Sequence, residues 1–403
     1  MTHAAYRRGK AVQALVIVGV VALGFNLRPA VVSIGPVLNE LITGLGVSAT
    51  YGGLLTTLPV IVFAVVGLFT PWLVRSVGIH RATLVCLFGV IGGLVFRAWV
   101  TTGAAFLVLT LVALAGMAAA NILLPPLVKY HYPNRIGPLT SLYTASLAVG
   151  ITASSALTVP VAHQFESWRW GLFVWVFPAL FAVIPWIVLS RRDSRHQFVK
   201  QQAGVRSLAR SPLAWALAAF FGLQAMQFYI VVGWFAQVYR DAGFTAVTSG
   251  WLLGTITAMQ IPMSIVMPRV AARTRHLGKL TFAIVACYPV GYAGLLLAPV
   301  QGAWLWAVLV GVGSGVFPLA LTLIGLRART SRGTVALSGF AQSAGYLIAA
   351  IGPVLIGTMY DLTQGWALPL SMLIVFTIPA LVLAVKVAQP RAIEDDVPEL
   401  IET

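Results

Sequence analysis

Gly24-Phe25-Asn26-Leu27-Arg28-Pro29-Ala30 interrupts the first long apolar run of the chain, which extends over roughly 13–39. A guanidinium near the middle of a membrane helix costs about 2.5–3.5 kcal/mol on insertion scales, and it does not shed its proton. Pro29 removes one helical hydrogen bond and crowds the carbonyl of Phe25, so the stretch predicts a kinked or loosened helix. Two unfavourable features at one point mark a candidate site. The surrounding sequence decides what kind.

The chain has 403 residues, 59% of them apolar and only 9% charged. A soluble domain carries about 25% charged residues, so this composition reads as a protein solvated by lipid. Twelve apolar segments recur, at roughly 13–39, 49–74, 80–100, 104–128, 137–162, 169–190, 212–239, 247–270, 278–299, 303–326, 334–360 and 366–388. Each is long enough to cross a bilayer as a helix. The expectation is an all-α membrane protein of twelve transmembrane helices in two parallel six-helix halves. Residues 1–190 form the first bundle and 212–388 the second. The basic stretch 191–211 is a cytoplasmic linker, and 389–403 is a disordered acidic tail. Met1 to Lys10 resembles the start of a signal peptide, but the apolar run behind it is too long for one.

The net charge of +16 would suggest nucleic acid in a soluble protein. Here 22 of the 26 Lys and Arg residues fall in breaks on one side, which puts both termini in the cytoplasm. Arg97, Arg169 and Arg240 fall at the opposite ends, and Arg28 remains in the core. Cys86 and Cys287 sit in apolar segments and read as packing residues. A shift of 197 residues aligns Gly116 with Gly313, Arg135 with Arg332, Tyr143 with Phe340 and Ser146 with Ser343. Such a parallel repeat is the architecture of a rocking transporter.

At this point the chain resembles the major facilitator superfamily. Pro71-Trp72-Leu73-Val74-Arg75-Ser76-Val77-Gly78-Ile79-His80-Arg81 is a degenerate form of its loop signature, without the usual acid. Within that superfamily the chain is similar to the cyanate permease and 2-nitroimidazole transporter family. The stretches that carry the likeness are Asn26-Leu27-Arg28-Pro29, Leu54-Leu55-Thr56-Thr57-Leu58-Pro59, Asn121-Ile122-Leu123-Leu124-Pro125 with Lys129 and Pro133, Ser167-Trp168-Arg169, and Gln342-Ser343-Ala344-Gly345-Tyr346. The resemblance implies transport of small anions or small nitrogen heterocycles.

None of the ten acids falls in the middle of a segment, and the six histidines also lie at ends or in loops. A proton-coupled multidrug exporter would need a titratable group inside, which weakens that alternative. Glu40 is twelve residues past Arg28, about 18 Å along a helix. The expected counter-ion of Arg28 is therefore a substrate anion, bound by the planar fork of donors. The competing reading has Arg28 reaching an interface or the carbonyls that Pro29 frees. Arg97, beside Trp99, is either an interfacial anchor or a second anion contact. Asn26, Asn121, Tyr143, Ser146, Gln224, Gln227, Tyr229, Gln342 and Tyr346 are candidate substrate contacts, with interhelical packing the alternative for each. Gln260 and Trp234 accompany them. As a set they describe a small polar chamber with aromatic walls. No phosphate loop, metal cluster or nucleophile–base arrangement stands out, so the chain reads as neither an enzyme nor an ATP-driven pump, and no cofactor is expected. The expected partners are a small molecule and the bilayer, with the chain a monomer in a bacterial inner membrane.

Overall fold

The computed structural model describes residues 3–132, 135–191 and 208–400. The described part is helical, with no strand among the described residues. Eleven stretches are long and apolar enough to cross a membrane. Ala49–Val77, a continuous helix whose apolar run covers roughly 49–74, completes the expected twelve. In order, the spans are Val12–Leu45, Ala49–Val77, Ile79–Arg97, Gly103–His131, Ile136–Gln164 and Trp168–Ser190. The remaining six are Pro212–Asp241, Ala246–Ala271, Leu277–Leu297, Ala303–Leu326, Ala336–Thr363 and Ala367–Val387. Lipid offers no hydrogen bonds, so long apolar runs close their own backbones as helices. Polar residues set several boundaries. Thr102, Ser167, Ser211, Thr245 and Thr330 each accept an amide hydrogen of the first turn that follows.

Five spans are broken, and each break is tied to a proline; the sixth breaks at Val174-Trp175, ahead of Pro178. The first span is His3–Phe25, then the short turns Pro29–Val32 and Gly35–Val37, then Leu38–Leu45. The eighth breaks at Met259, the tenth at Ser314-Gly315 and the eleventh at Ala350. Pro262, Pro318 and Pro353 follow these breaks at three or four residues. A proline cannot donate to the carbonyl four residues back, and its ring crowds that carbonyl.

The chain divides into two compact units. Residues 1–46 and 62–199 form the first, and 47–61 and 200–403 the second. The second span is thus shared, its first half clustering with the second unit. The linker's residues 192–207, residues 133–134, and the side chains of Pro125, Lys129 and Arg332 lie outside the described residues. In the first unit, Leu23 and Leu27 pack with Cys86, Leu124 and Trp186 in one apolar core. In the second, the seventh span is the most enclosed, with 83% of its window buried.

The two units share a packing device. In the first, a Cβ on Gly24 would stand 2.8 Å from the Tyr143 carbonyl oxygen, so spans one and five meet backbone to backbone. In the second, a Cβ on Gly222 would stand 2.7 Å from the Gly345 carbonyl oxygen, joining spans seven and eleven in the same way. Small residues allow this approach where no hydrophobic force drives helices together.

The tail departs from the expected disorder over its described part, 389–400. Ile393–Asp395 and Pro398–Leu400 form two 3-10 turns, and Ile393, Val397 and Leu400 are buried. Glu394 is 1% exposed. Its carboxylate accepts the amides of Arg329 (2.9 Å) and Thr330 (2.9 Å) and the Thr330 hydroxyl (2.9 Å). It therefore serves the open amides where the helix Ser331–Ala349 begins. Asp395 forms a two-pronged pair with Arg329, at 2.6 and 3.1 Å. Asp396 accepts from Arg391 and from Ser211, the cap of the seventh span. Acidity suggested a solvated end. The acids instead find the starts of two helices, at Thr330 and Ser211, and the guanidinium groups of Arg329 and Arg391.

Candidate functional site

Arg28 occupies the break in the first span. Asn26 N–H is shared between the Ala22 and Leu23 carbonyls, and Leu27 N–H reaches Gly24 at 3.2 Å, so the helix tightens before it ends. Arg28 then caps the turn Pro29–Val32, with φ −130° and ψ −23°. Its carbonyl accepts Val31 N–H at 2.9 Å and Val32 N–H at 3.0 Å. The side chain is 6% exposed, so it does not reach out to an interface. Its guanidinium carbon lies 5.0 Å from the centre of the Phe63 ring in the second span. The face of an aromatic ring attracts a cation, and the guanidinium keeps its hydrogen-bond donors in its own plane. Phe63 was not among the residues singled out from sequence. An aromatic ring in an apolar span carries no distinguishing signal.

The neighbours in the first unit are drawn into helix packing. Asn26 is buried and donates from Nδ2 to the Ala22 carbonyl (2.8 Å) and to the Pro178 carbonyl of the sixth span (3.0 Å). Ser146 donates to the Val21 carbonyl at 2.8 Å, beside the Gly24 contact. Tyr143, half-buried, packs against the apolar core of that unit. Asn121 is half-buried in the fourth span.

Arg97 is 0% exposed, and it is Phe96 and Trp99 that face outward. The structure thus does not show it as an interfacial anchor. It donates from Nη1 to the Ala30 carbonyl at 2.9 Å, within the same broken stretch. Arg169 closes the end of the third span by donating to the Ala98 and Val100 carbonyls, both at 2.8 Å.

In the second unit the polar residues form their own network. Gln227 is buried; it accepts Tyr292 O–H at 2.8 Å and donates to the Leu373 carbonyl at 3.4 Å. Gln224, one turn earlier, lines a water-sized cavity of about 10 Å³ with Phe220, Gln227, Tyr288 and Thr377. Tyr229 and Trp234 are buried on the same helix, and Gln260 lines a second small cavity with Tyr288 and Ser314. Gln342 donates to Ser338 at 2.7 Å, and the Tyr346 ring meets Phe221 edge-on at 5.2 Å. Tyr288 and Tyr292, stacked at 5.6 Å, belong to this network and were missed. Their spacing of four was the available signal, since it puts both on one helix face.

Two carboxylates of the second unit, Asp361 and Asp241, are engaged in hydrogen bonds at helix ends. Asp361 accepts Thr50 N–H at 2.8 Å and the Thr50 hydroxyl, where the second span begins. Asp241 accepts Gln237 (2.7 Å), Tyr360 (2.8 Å) and Trp366 (2.7 Å).

This is the interior of a multi-pass membrane protein built from two helical units, with a charged break in the first span. Residues 14–353 match the sequence model of the Major Facilitator Superfamily. The chain is 35% identical to an uncharacterised transporter YycB of Bacillus subtilis, over 89% of each chain. It is 30% identical to a 2-nitroimidazole transporter of Escherichia coli, over 88% of this chain and 91% of that one. A cyanate transport protein, CynX, of Escherichia coli is 28% identical over 86% and 90%. Its fold matches the crystal structure of a bacterial homologue of the human lysosomal transporter Spinster, with a TM-score of 0.75 at 14% identity, covering 94% of this chain and 97% of that one. The chain belongs to the Major Facilitator Superfamily and is a membrane transporter of small molecules, not an enzyme.

Proposed function

We propose that this transporter carries a small anion, of cyanate, nitrite or carboxylate type, by alternating access, with Arg28 as the group that binds the charge. The observation that carries this reading is the setting of Arg28: a buried guanidinium at a helix break, its carbon over the Phe63 ring. A planar fork of donors suits a small planar anion, and its interaction strengthens where water is excluded. The cyanate-transporting relative supports the substrate class. The hydrogen bonds that Asp241 and Asp361 accept support a mechanism in which those acids are structural. The basic residues, gathered on one side of the predicted spans, support both termini in the cytoplasm of a bacterium. Two helical units within one chain suit a monomer.

A second reading takes a neutral nitroheterocycle as substrate, with Arg28 donating to its nitro group. The 2-nitroimidazole-transporting relative favours it. A thermal-shift screen of purified protein against cyanate, nitrite, benzoate and 2-nitroimidazole separates the two. A ligand at 100 times its Kd stabilises by about 2.7 kcal/mol. The anion reading expects stabilisation by one of the anions that Arg28→Ala abolishes. A ligand that stabilises both proteins equally removes Arg28 from the site.

A further inference from the structure

The residue after the proline break poses a problem of its own. In a regular helix the Ile34 N–H would meet the Ala30 carbonyl. Here Ser33 N–H still reaches Pro29 at 3.0 Å, but Ile34 N–H turns to Val31 at 3.3 Å. The ladder tightens to a three-residue step and passes over Ala30. Ala30 is buried, so water cannot serve its carbonyl. The donor that does is Arg97 Nη1, from the third span, at 2.9 Å.

Arg97 is an unusual choice for one carbonyl. Nothing of it is exposed, and its Nε and Nη2 have no hydrogen-bond partner among the described residues. A neutral donor would satisfy Ala30 without burying a charge. What the long side chain adds is reach and fixity. It crosses from the end of the third span to the first, with its guanidinium carbon 5.9 Å from the centre of the Phe106 ring in the fourth. The backbone just beyond it is held in turn by Arg169, through the Ala98 and Val100 carbonyls. Ala30 lies inside the single turn Pro29–Val32 that Arg28 caps. So short a segment has little helical stability of its own, and its orientation is set from outside.

We infer that Arg97 is a positioning residue: by holding the Ala30 carbonyl it orients the turn that aims Arg28 across the Phe63 ring. Its value to substrate binding rests on the Arg28 reading above, but the placement itself is testable without any substrate.

The test puts 4-cyanophenylalanine at position 63 in the full-length protein and reads the nitrile infrared band, which responds to the charge 5.0 Å from that ring. Arg28→Met gives the band position without the guanidinium. Arg97→Met is expected to move the band toward that position, and Arg97→Lys, which keeps a charged donor, to restore it. Should Arg97→Met fail to assemble, Arg97→Gln, too short to reach Ala30, is read in the same way. A band unmoved in a folded Arg97→Met or Arg97→Gln protein overturns the inference, because loss of stability alone does not shift it. If the band moves while Arg28→Ala leaves every ligand response intact, positioning stands and the anion reading falls.

Discussion

The Phe25 carbonyl faces Gly150 across the contact of the first and fifth spans, so closely that any Cβ on residue 150 would overlap its oxygen. Pro29, four residues after Phe25, has no amide hydrogen to offer that carbonyl and crowds it with its ring. The carbonyl therefore meets a neighbouring helix that is bare at that point. The proline break and the glycine are two halves of one arrangement, with Ser146 donating to Val21 one turn away.

Gly150→Ala should lower stability by about 1–3 kcal/mol, since the added carbon forces two backbones apart. Gly24→Ala, where the Cβ would stand 2.8 Å from the Tyr143 carbonyl, should do the same to a smaller extent. Gly92→Ala is the control, because no atom lies within 4 Å of a Cβ there. Thermal unfolding in detergent ranks the three; equal melting temperatures for Gly150→Ala and Gly92→Ala would contradict the arrangement.

His80 and His131 approach to 2.8 Å between their Nε2 atoms, where the third span begins and the fourth ends. His131→Phe removes this hydrogen bond between the two helix ends and should cost about 0.5–1.5 kcal/mol. Thermal unfolding in detergent reads the loss; an unchanged melting temperature would show that the pair contributes nothing.

Glu394 fastens the tail. Burial works against its carboxylate, but the amides of Arg329 and Thr330 outweigh this and hold its pKa below the ordinary 4.5. Its contribution is therefore present above 4.5 and lost as pH falls below it. Glu394→Gln should cost about 1–2 kcal/mol, the scale of a lost helix cap. It should also open residues 389–400 to limited proteolysis at neutral pH. A tail as resistant as the wild type would show that Ile393, Val397 and Leu400 suffice to hold it.

Tyr292→Phe leaves Gln227 Oε1 without its donor in a buried setting. The expected cost is about 1–3 kcal/mol. Gln227→Leu combined with Tyr292→Phe should cost less than the two singles summed, with a coupling of about 0.5–3 kcal/mol. Strict additivity in unfolding measurements would separate the two residues.

Much of the architecture was legible in the order of residues. Hydrocarbon forces a backbone to satisfy itself, so apolar runs near 20 residues read directly as spans, and Pro29 as a break. Gly24-Phe25-Asn26-Leu27-Arg28-Pro29-Ala30 itself determined that a charge sits at a helix interruption inside the membrane. The partners of that charge were not legible. Arg97 meets Ala30 across 67 positions, Asn26 meets Pro178 across 152, and Glu394 meets Arg329 across 65. A buried polar group must find a partner, but its chemistry does not say which distant carbonyl or amide will be left open. That depends on where neighbouring helices break and how closely they pack, which only the tertiary structure decided.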